Sequence, residues 1–536
     1  MNSRPLPGTG VDEALPVGKA ALLLIGATAA AYGAALFAPF VYDDRVWVTG
    51  NPFIRHLGAL WQVLWPPADA MTRGRPFLSL SFALNYALSG NNPWSYHAAN
   101  LAIHCGCALL LMGIVRRTLA LLPGTFPTPR DSFVPAVGAA LLWAVHPLQT
   151  EAVTYVSQRA ESLMGLFYFL TLYAFVRGAT SGRPRDWYLL ATVSCLLGAA
   201  TKETMVSAPL VVLAYDRTFV SGSFRRALSC RWALYAARGL SWVAVALLGA
   251  GLHSRGVGFG LGYSAGGYAL VEAWVVAHYL LLCVWPYPLV FDRGTDLVAT
   301  VGEAIPWACV TAVAIAVAAC GFVRRSAWGF ACAWFFLVLA PTSSVVPIAF
   351  QPMAEHRMYL PLAAIAALAG ACLWRFFGKR AISFTVAACA LLAAVTFLRN
   401  GDYRDEVGLW SDTVRRVPGN ERAHLALGEA LTRAGRGADA EQQYRRALGI
   451  SPGDSDARLA LGLSLFGEGR AEEALGEYRK IAASGPDSSL LHRSMGLALE
   501  KTGRRAEALA EFRRALEVDP SDAVLRERLG LPAATP

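Results

Sequence analysis

The sequence predicts an all-α protein: a polytopic bundle of about eleven membrane-spanning helices, followed by an α-solenoid of short helical repeats. Three observations predict it. The chain of 536 residues is 55% hydrophobic, with a mean hydropathy of +0.40. Only 16% of its residues are charged, against about 25% in soluble domains, and residues 18–398 are the charge-poor part. Past residue 420 charges return, and the sequence matches itself at a 34-residue period.

The elements follow in order. Residues 1–17 read as a cytoplasmic tail, too long and acidic for a signal n-region, so the first apolar run is a signal anchor. A spanning helix needs about 20 apolar residues. Candidate spans lie near 18–38, 97–115, 133–150, 161–177, 187–203, 204–216, 232–252, 304–322, 327–346, 358–375 and 381–398, the sixth being short. Basic groups follow every second span: Arg116 and Arg117, then Arg177, Arg183 and Arg185, then Arg217, Arg225, Arg226 and Arg231, then Arg324 and Arg325, then Arg375, Lys379 and Arg380. The positive-inside rule makes those loops cytoplasmic. Loop 39–96 and everything past 398 are then extracytoplasmic. Segment 268–291 is apolar but contains Glu272, His278, Pro286 and Pro288. A full crossing there would put Arg324 and Arg325 outside, so the segment reads as a re-entrant or interfacial hairpin. The alternative is an ordinary span with a compensating miscount elsewhere.

The net charge of +10 is split into short clusters between apolar runs, which argues against a nucleic-acid surface. All ten cysteines fall between Cys105 and Cys389, in or beside apolar runs. They read as small apolar packers, not a disulfide frame or metal site.

Residues 399–420 read as a linker and half repeat, 421–454, 455–488 and 489–522 as three full repeats, and 523–536 as a tail. Gly428, Gly462 and Gly496 align, as do Gly435, Gly469 and Gly503, and Ala440, Ala474 and Ala508. So do Tyr444, Tyr478 and Phe512, and Pro452, Pro486 and Pro520; Trp410 and Pro418 stand one period earlier. This is the tetratricopeptide (TPR) pattern: small residues let two helices approach, an aromatic fills the gap, and proline ends the unit. Such a stack offers a concave face to a protein or peptide, or it merely rigidifies what precedes it.

Ionisable residues gather on the extracytoplasmic side. Asp43 and Asp44, in FVYDDRVW, follow the first span directly. Adjacent carboxylates raise one pKa, which suits a general base or a metal site; the plain alternative is a helix cap or hydrated loop. His146, Glu151, Arg159 and Glu161 flank the next outer turn, Lys202 and Glu203 the one after, and Glu355, His356 and Arg357 the last, with Arg73 and Arg75 in loop 39–96. Taken singly they have ordinary explanations: Lys202 and Glu203 as a pair, His97 and His104 as satisfied helix residues. Their repetition describes an outward polar cavity, in which cations suit a phosphate and carboxylates a base.

The motifs RPFLSLSFALNYALSGNNPWSYHAANLAIH, HPLQTEAVTYVSQRAE, ATKETMVSAPLVVLAYD, VWPYPLVFD and EHRMYLP, with the acidic pair before them, resemble the transmembrane-and-TPR O-mannosyltransferases, members of the GT-C class of integral-membrane glycosyltransferases. The resemblance spans nearly the whole chain. It implies a GT-C-like catalytic domain over 18–398, a polyprenyl-phosphate-linked sugar as donor, and an acceptor hydroxyl, on protein Ser or Thr, engaged through the TPR repeats. It carries the catalytic pair over to Asp43 and Asp44, with Asp43 as base. It nominates Arg159, Lys202 and Arg357, with His146, Glu151 and Glu355, for donor phosphate or sugar. The family's eukaryotic members carry longer repeat arrays and sit in the endoplasmic reticulum. The Ala/Arg/Gly-rich usage here suggests a bacterial inner-membrane protein with periplasmic repeats, an undecaprenyl carrier, and a sugar that need not be mannose.

No metal site is assigned. Mg²⁺ or Mn²⁺ would suit the carboxylates, but no third ligand stands near them. The rival readings are a glycan- or lipid-acceptor transferase or ligase of the same fold, and a non-enzymatic scaffold or transporter with a repeat-built docking arm. A transporter needs ionisable groups at mid-bilayer; these are bunched at one face.

Overall fold

The computed structural model describes residues 16–532, except 68–69, 250–256, 259–263, 296, 299, 344–345, 349, 484 and 486–487. Residues 1–15 of the expected N-terminal tail, one repeat proline (Pro486) and residues 533–536 lie outside the described residues. Within them the chain is helical, its only β feature being a bridge between Val257 and Ile348. It divides into two compact units: residues 1–291 with 297–405, and residues 292–296 with 406–536.

The first unit is a helical bundle. Among the described residues, six helical stretches are long and apolar enough to cross a membrane, or seven if the bent pair Pro129–Ala144 and Pro147–Thr154 forms one span. One of the six, Leu362–Asp402, is two helices, Leu362–Phe377 and Ala381–Asp402. Other expected spans are shorter, such as Pro184–Ala199 and Ala327–Leu339, or interrupted, such as Phe224–Leu248, where Arg231 leaves helical geometry. The interior packs on aromatics. Trp143 is fully buried against Phe169 and Tyr359, and Phe169 stacks on Trp334. His104 lies between Trp143 and Tyr359, with its ring nitrogens on Tyr359 Oη (2.9 Å) and Ala144 O (2.9 Å); it is a satisfied core histidine. The outer surface of the bundle is also apolar, with Leu240, Leu247, Val301, Val313 and Leu391 exposed. Helices apolar on both sides belong in lipid.

Segment 268–291 is corrected in one respect. It contains no hairpin: Ala265–Val284 is a single unbroken helix of 20 residues, apolar enough to cross a bilayer. Pro286 and Pro288 fall beyond its end, where they cost no helical hydrogen bond, and Glu272 is buried within it. The start of Phe224–Leu248 and the end of Val301–Val323 lie together. Trp242, near the end of Phe224–Leu248, donates to Val206 O (2.9 Å), beside the Lys202 turn. At the other end, Arg217 donates to Phe322 O (2.7 Å) and Arg325 to Gly222 O (2.6 Å), so these two basic clusters meet and cap helix carbonyls.

In the second unit, helix Glu406–Arg416 supplies the half repeat, and three helix pairs follow between Glu421 and Val518. The repeated glycines have one cause. A Cβ on Gly428, Gly462 or Gly496 would lie 2.3–2.4 Å from the ring of Tyr444, Tyr478 or Phe512, so only glycine lets the paired helices close on their aromatic. Residues 292–296 cluster with this unit. Asp292 accepts two bonds from Arg422 Nη2 (2.8 Å each), and Asn420 Nδ2 donates to Asp292 O (3.0 Å).

Candidate active site

The first span ends at Phe37, and the chain turns over residues 38–44. Tyr42, just before the acidic pair, has φ +44°, a left-handed conformation that costs a bulky residue about 1–2 kcal/mol. Such strain persists only where the surroundings impose it, and here they can be named. Asp44 is fully buried; its Oδ1 accepts from Ser157 N (2.6 Å) and its Oδ2 from Val41 N (3.2 Å). Asp43 donates its backbone N–H to Tyr155 Oη (3.0 Å). The half-buried Asp43 side chain is the more open of the two. Burial pushes the Asp44 carboxyl up to about 7, against the two backbone donors that favour its ionised form, and the neighbouring Asp43 charge adds to the rise. The two acids thus differ: Asp44 is anchored inward by two backbone bonds, and Asp43 is only half-buried.

Four separate stretches surround the pair. Phe291 packs edge-on against Tyr42, Tyr155 and Tyr403. One residue earlier, Val290 N donates to Glu355 Oε1 (2.5 Å). His356 donates its backbone N–H to Glu151 Oε2 (2.8 Å), and its Nδ1 lies 2.8 Å from Glu151 Oε1. Arg399, near the end of the last helix of the unit, bonds Asp402 (3.0 Å) and lies 3.7 Å from Glu355 Oε2. So Asp43, Asp44, Glu151 and Glu355 are drawn together through Tyr155, Phe291 and Tyr403. His146 is attached to the same wall: its Nδ1 accepts from Leu148 N, and its Nε2 donates to Cys283 O (3.2 Å).

The nominated cations already have partners. Arg159 is buried; its Nε donates to Asn100 Oδ1 (2.6 Å), its Nη1 to Asn85 Oδ1 (2.6 Å) and its Nη2 to Tyr96 O (2.9 Å). Those acceptors belong to helices Pro76–Ser89 and Trp94–Ala120, so Arg159 pins the first outer loop to the bundle. Lys202 pairs with Glu161, and Arg75 with Glu203 (2.9 Å); Lys202 and Glu203 do not pair with each other. Arg357 donates to the carbonyls of Thr342 (3.1 Å), Pro352 (2.5 Å) and Gln351. Sequence reasoning missed Tyr155, Phe291, Arg399 and Tyr403 as parts of the site, although the first two stand inside quoted motifs. Among the described residues, no three His, Cys, Asp or Glu side chains converge as metal ligands.

Comparison with known proteins returned three tetratricopeptide-repeat models, matching residues 391–455, 431–498 and 489–522. A protein O-mannosyl-transferase of Drosophila melanogaster is 34% identical over 196 residues, which are 34% of this chain and 20% of that protein. Another from Mus musculus is 35% identical over 222 residues, 38% of this chain and 22% of that protein. A third, from Caenorhabditis elegans, is 25% identical over 455 residues, 80% of this chain and 62% of that protein. The chain therefore spans about a fifth of the first two relatives and less than two thirds of the third. Among solved structures, ArnT from Cupriavidus metallidurans bound to undecaprenyl phosphate aligns with 92% of this chain and 89% of its own, at 15% identity and a TM-score of 0.41. By sequence the chain is similar to protein O-mannosyl-transferases, and its residues 391–522 match tetratricopeptide-repeat models.

Proposed function

We propose that the chain is an integral-membrane glycosyltransferase. It moves a sugar from a polyprenyl-phosphate donor to an acceptor hydroxyl, on protein Ser or Thr, at the extracytoplasmic face. The observation that carries this reading is the unequal placement of the acidic pair. Asp44, held by Val41 N and Ser157 N, fixes the turn, and this leaves the more open Asp43 to meet the acceptor. Asp43 takes the hydroxyl proton as that oxygen attacks the anomeric carbon. The bond from that carbon to the phosphate oxygen breaks, and a single displacement inverts the centre. The departing phosphate needs a cation. Lys202, now paired with Glu161, can exchange one anion for another, whereas Arg159 has its donors committed to the fold. The basic clusters at the opposite end favour an N-terminus in the cytoplasm, with the acidic pair and the repeats in the periplasm, and the repeats engage the acceptor or a partner protein. The names of the relatives support protein as acceptor and mannose as sugar.

Transfer from a radiolabelled lipid donor tests the proposal in the purified full-length protein. Loss of a general base costs about 10²–10⁴ in rate, so Asp43→Asn is expected to fall by that factor while Asp44→Asn falls less. Full activity in both variants would remove the acidic pair from the chemistry.

A further inference from the structure

A second cavity lies away from the acidic pair. It encloses about 560 Å³ between helices Trp94–Ala120, Arg159–Thr180, Ala327–Leu339 and Leu362–Phe377, within the range of small-molecule sites. Its walls are almost entirely apolar, with aromatics such as Phe169, Tyr215 and Trp334 among them. On helix Leu362–Phe377 the facing residues include Ala363, Ala364, Ala367 and Ala371, whose short side chains leave the space open. The guanidiniums are at one end only, where Arg325 and Arg375 are both exposed, and no Asp or Glu lines the cavity. Arg325 is held there by its bond to Gly222 O (2.6 Å).

Two lengths identify the occupant. From Ala363 to Arg375 the groove follows twelve residues of helix, about 18 Å. That is close to one leaflet of a hydrocarbon core about 30 Å thick. The acidic pair is at the far end: Ser157, which anchors Asp44, precedes the groove residue Phe169 by twelve residues, again about 18 Å. A lipid whose phosphate meets Arg325 and Arg375 cannot present that phosphate to Asp43. We propose that the groove binds one acyl chain of an anionic phospholipid from the leaflet at the basic end, with its phosphate between Arg325 and Arg375. This site is separate from the donor site and does not depend on the glycosyltransferase reading.

The test uses the full-length protein in nanodiscs at low ionic strength. The probes are phosphatidylglycerol and phosphatidylcholine, each carrying a photoactivatable acyl chain, and a photoactivatable polyprenyl phosphate. Phosphatidylglycerol is expected to label peptides from helices Trp94–Ala120 and Leu362–Phe377. Each Arg→Gln change at 325 or 375 lowers that labelling about fivefold, the value of one cation near an anionic membrane surface. Ala367→Trp fills the groove and abolishes it. Both arginines are exposed; Arg325→Gln gives up its bond to Gly222 O, so thermal unfolding of each variant is compared with wild type, and Arg375→Gln carries the test even if Arg325→Gln or Ala367→Trp does not fold. Equal labelling by phosphatidylcholine with no effect of either arginine would overturn the proposal, since the groove would then hold bulk lipid. Stronger labelling of the same peptides by polyprenyl phosphate would overturn it too.

Discussion

Replacing Asp44 by Asn should change the pH dependence of the turn that carries the acidic pair. Burial pushes the Asp44 carboxyl up to about 7 in the folded protein, while in the unfolded chain it titrates near 3.9. An acid raised in this way stabilises the fold most at low pH, and that stability is lost as pH rises through the folded value. Between pH 5 and pH 8 the unfolded state is already ionised while the native carboxyl gives up its proton. The fold then loses roughly 3 kcal/mol, on the order of 100-fold in an opening constant. The amide in the Asp44→Asn variant does not titrate. It keeps the bond from Ser157 N through its oxygen but turns an NH₂ toward Val41 N, which costs about 1–3 kcal/mol at every pH. Wild type should therefore be the more stable at pH 5, and the gap should close or reverse at pH 8. Hydrogen exchange of peptides spanning Val41 and Ser157, corrected for intrinsic rate, reads this directly. A variant-to-wild-type ratio of protection that stays constant from pH 5 to pH 8 would refute the reasoning, because Asp44 would then titrate alike in both states.

Three further outcomes are expected. Arg159→Gln should destabilise the protein by more than about 3 kcal/mol, because it strands the acceptors on Asn85, Asn100 and Tyr96; a raised KM for lipid donor with unchanged thermal unfolding would instead assign Arg159 to the phosphate. Gly329→Ala should cost about 3 kcal/mol or more, since its Cβ would lie 2.0 Å from the backbone of Gly321 where helices Val301–Val323 and Ala327–Leu339 turn on each other; Gly182→Ala, with nothing within 4 Å, is the silent control. In the repeat unit, a double-mutant cycle with Asp292→Asn and Arg422→Gln should return a coupling of about 1–3 kcal/mol from the two 2.8 Å bonds, read as exchange of the amides that begin helix Glu421–Arg433.

The repeats were legible residue by residue because their cause is local and periodic. A glycine that must admit an aromatic sixteen positions later, as Gly428 admits Tyr444, leaves a signal in any window of one period. Apolar length likewise gave most of the bundle, since lipid contact imposes composition on every turn of a helix. Segment 268–291 shows what apolar length leaves open. Glu272 lies within the helix and Pro286 and Pro288 beyond it, and only the position of the helix end, which composition does not mark, separates them. The surroundings of the cations are not legible in sequence. An arginine at an outer turn looks the same in sequence whether its donors await a phosphate or, like those of Arg159, are directed to Asn85, Asn100 and a carbonyl from distant helices. Arg399 shows the converse: it is one residue past the expected end of a span, yet it is buried beside Glu355 and Asp402.

The two neighbouring carboxylates resolve the difficulty they pose. Side by side in water they would merely repel. Here the chain separates them by conformation: Tyr42 takes a left-handed turn, and Asp44 goes inward to two backbone N–H groups while Asp43 stays half-buried. The donors to Asp44 come from both sides of the turn, Val41 on the first outer loop and Ser157 on the turn before helix Arg159–Thr180. The Asp44 carboxyl is therefore a clasp between two segments more than a hundred residues apart. On the proposed reading, with Asp43 as general base, this clasp gives the turn the positional tolerance that proton transfer demands. Two residues beyond Ser157, Arg159 fixes the same turn to the other end of the loop through Asn85 and Asn100. The loop is thus gripped at its start by the buried Asp44 carboxyl and toward its end by the buried Arg159 guanidinium.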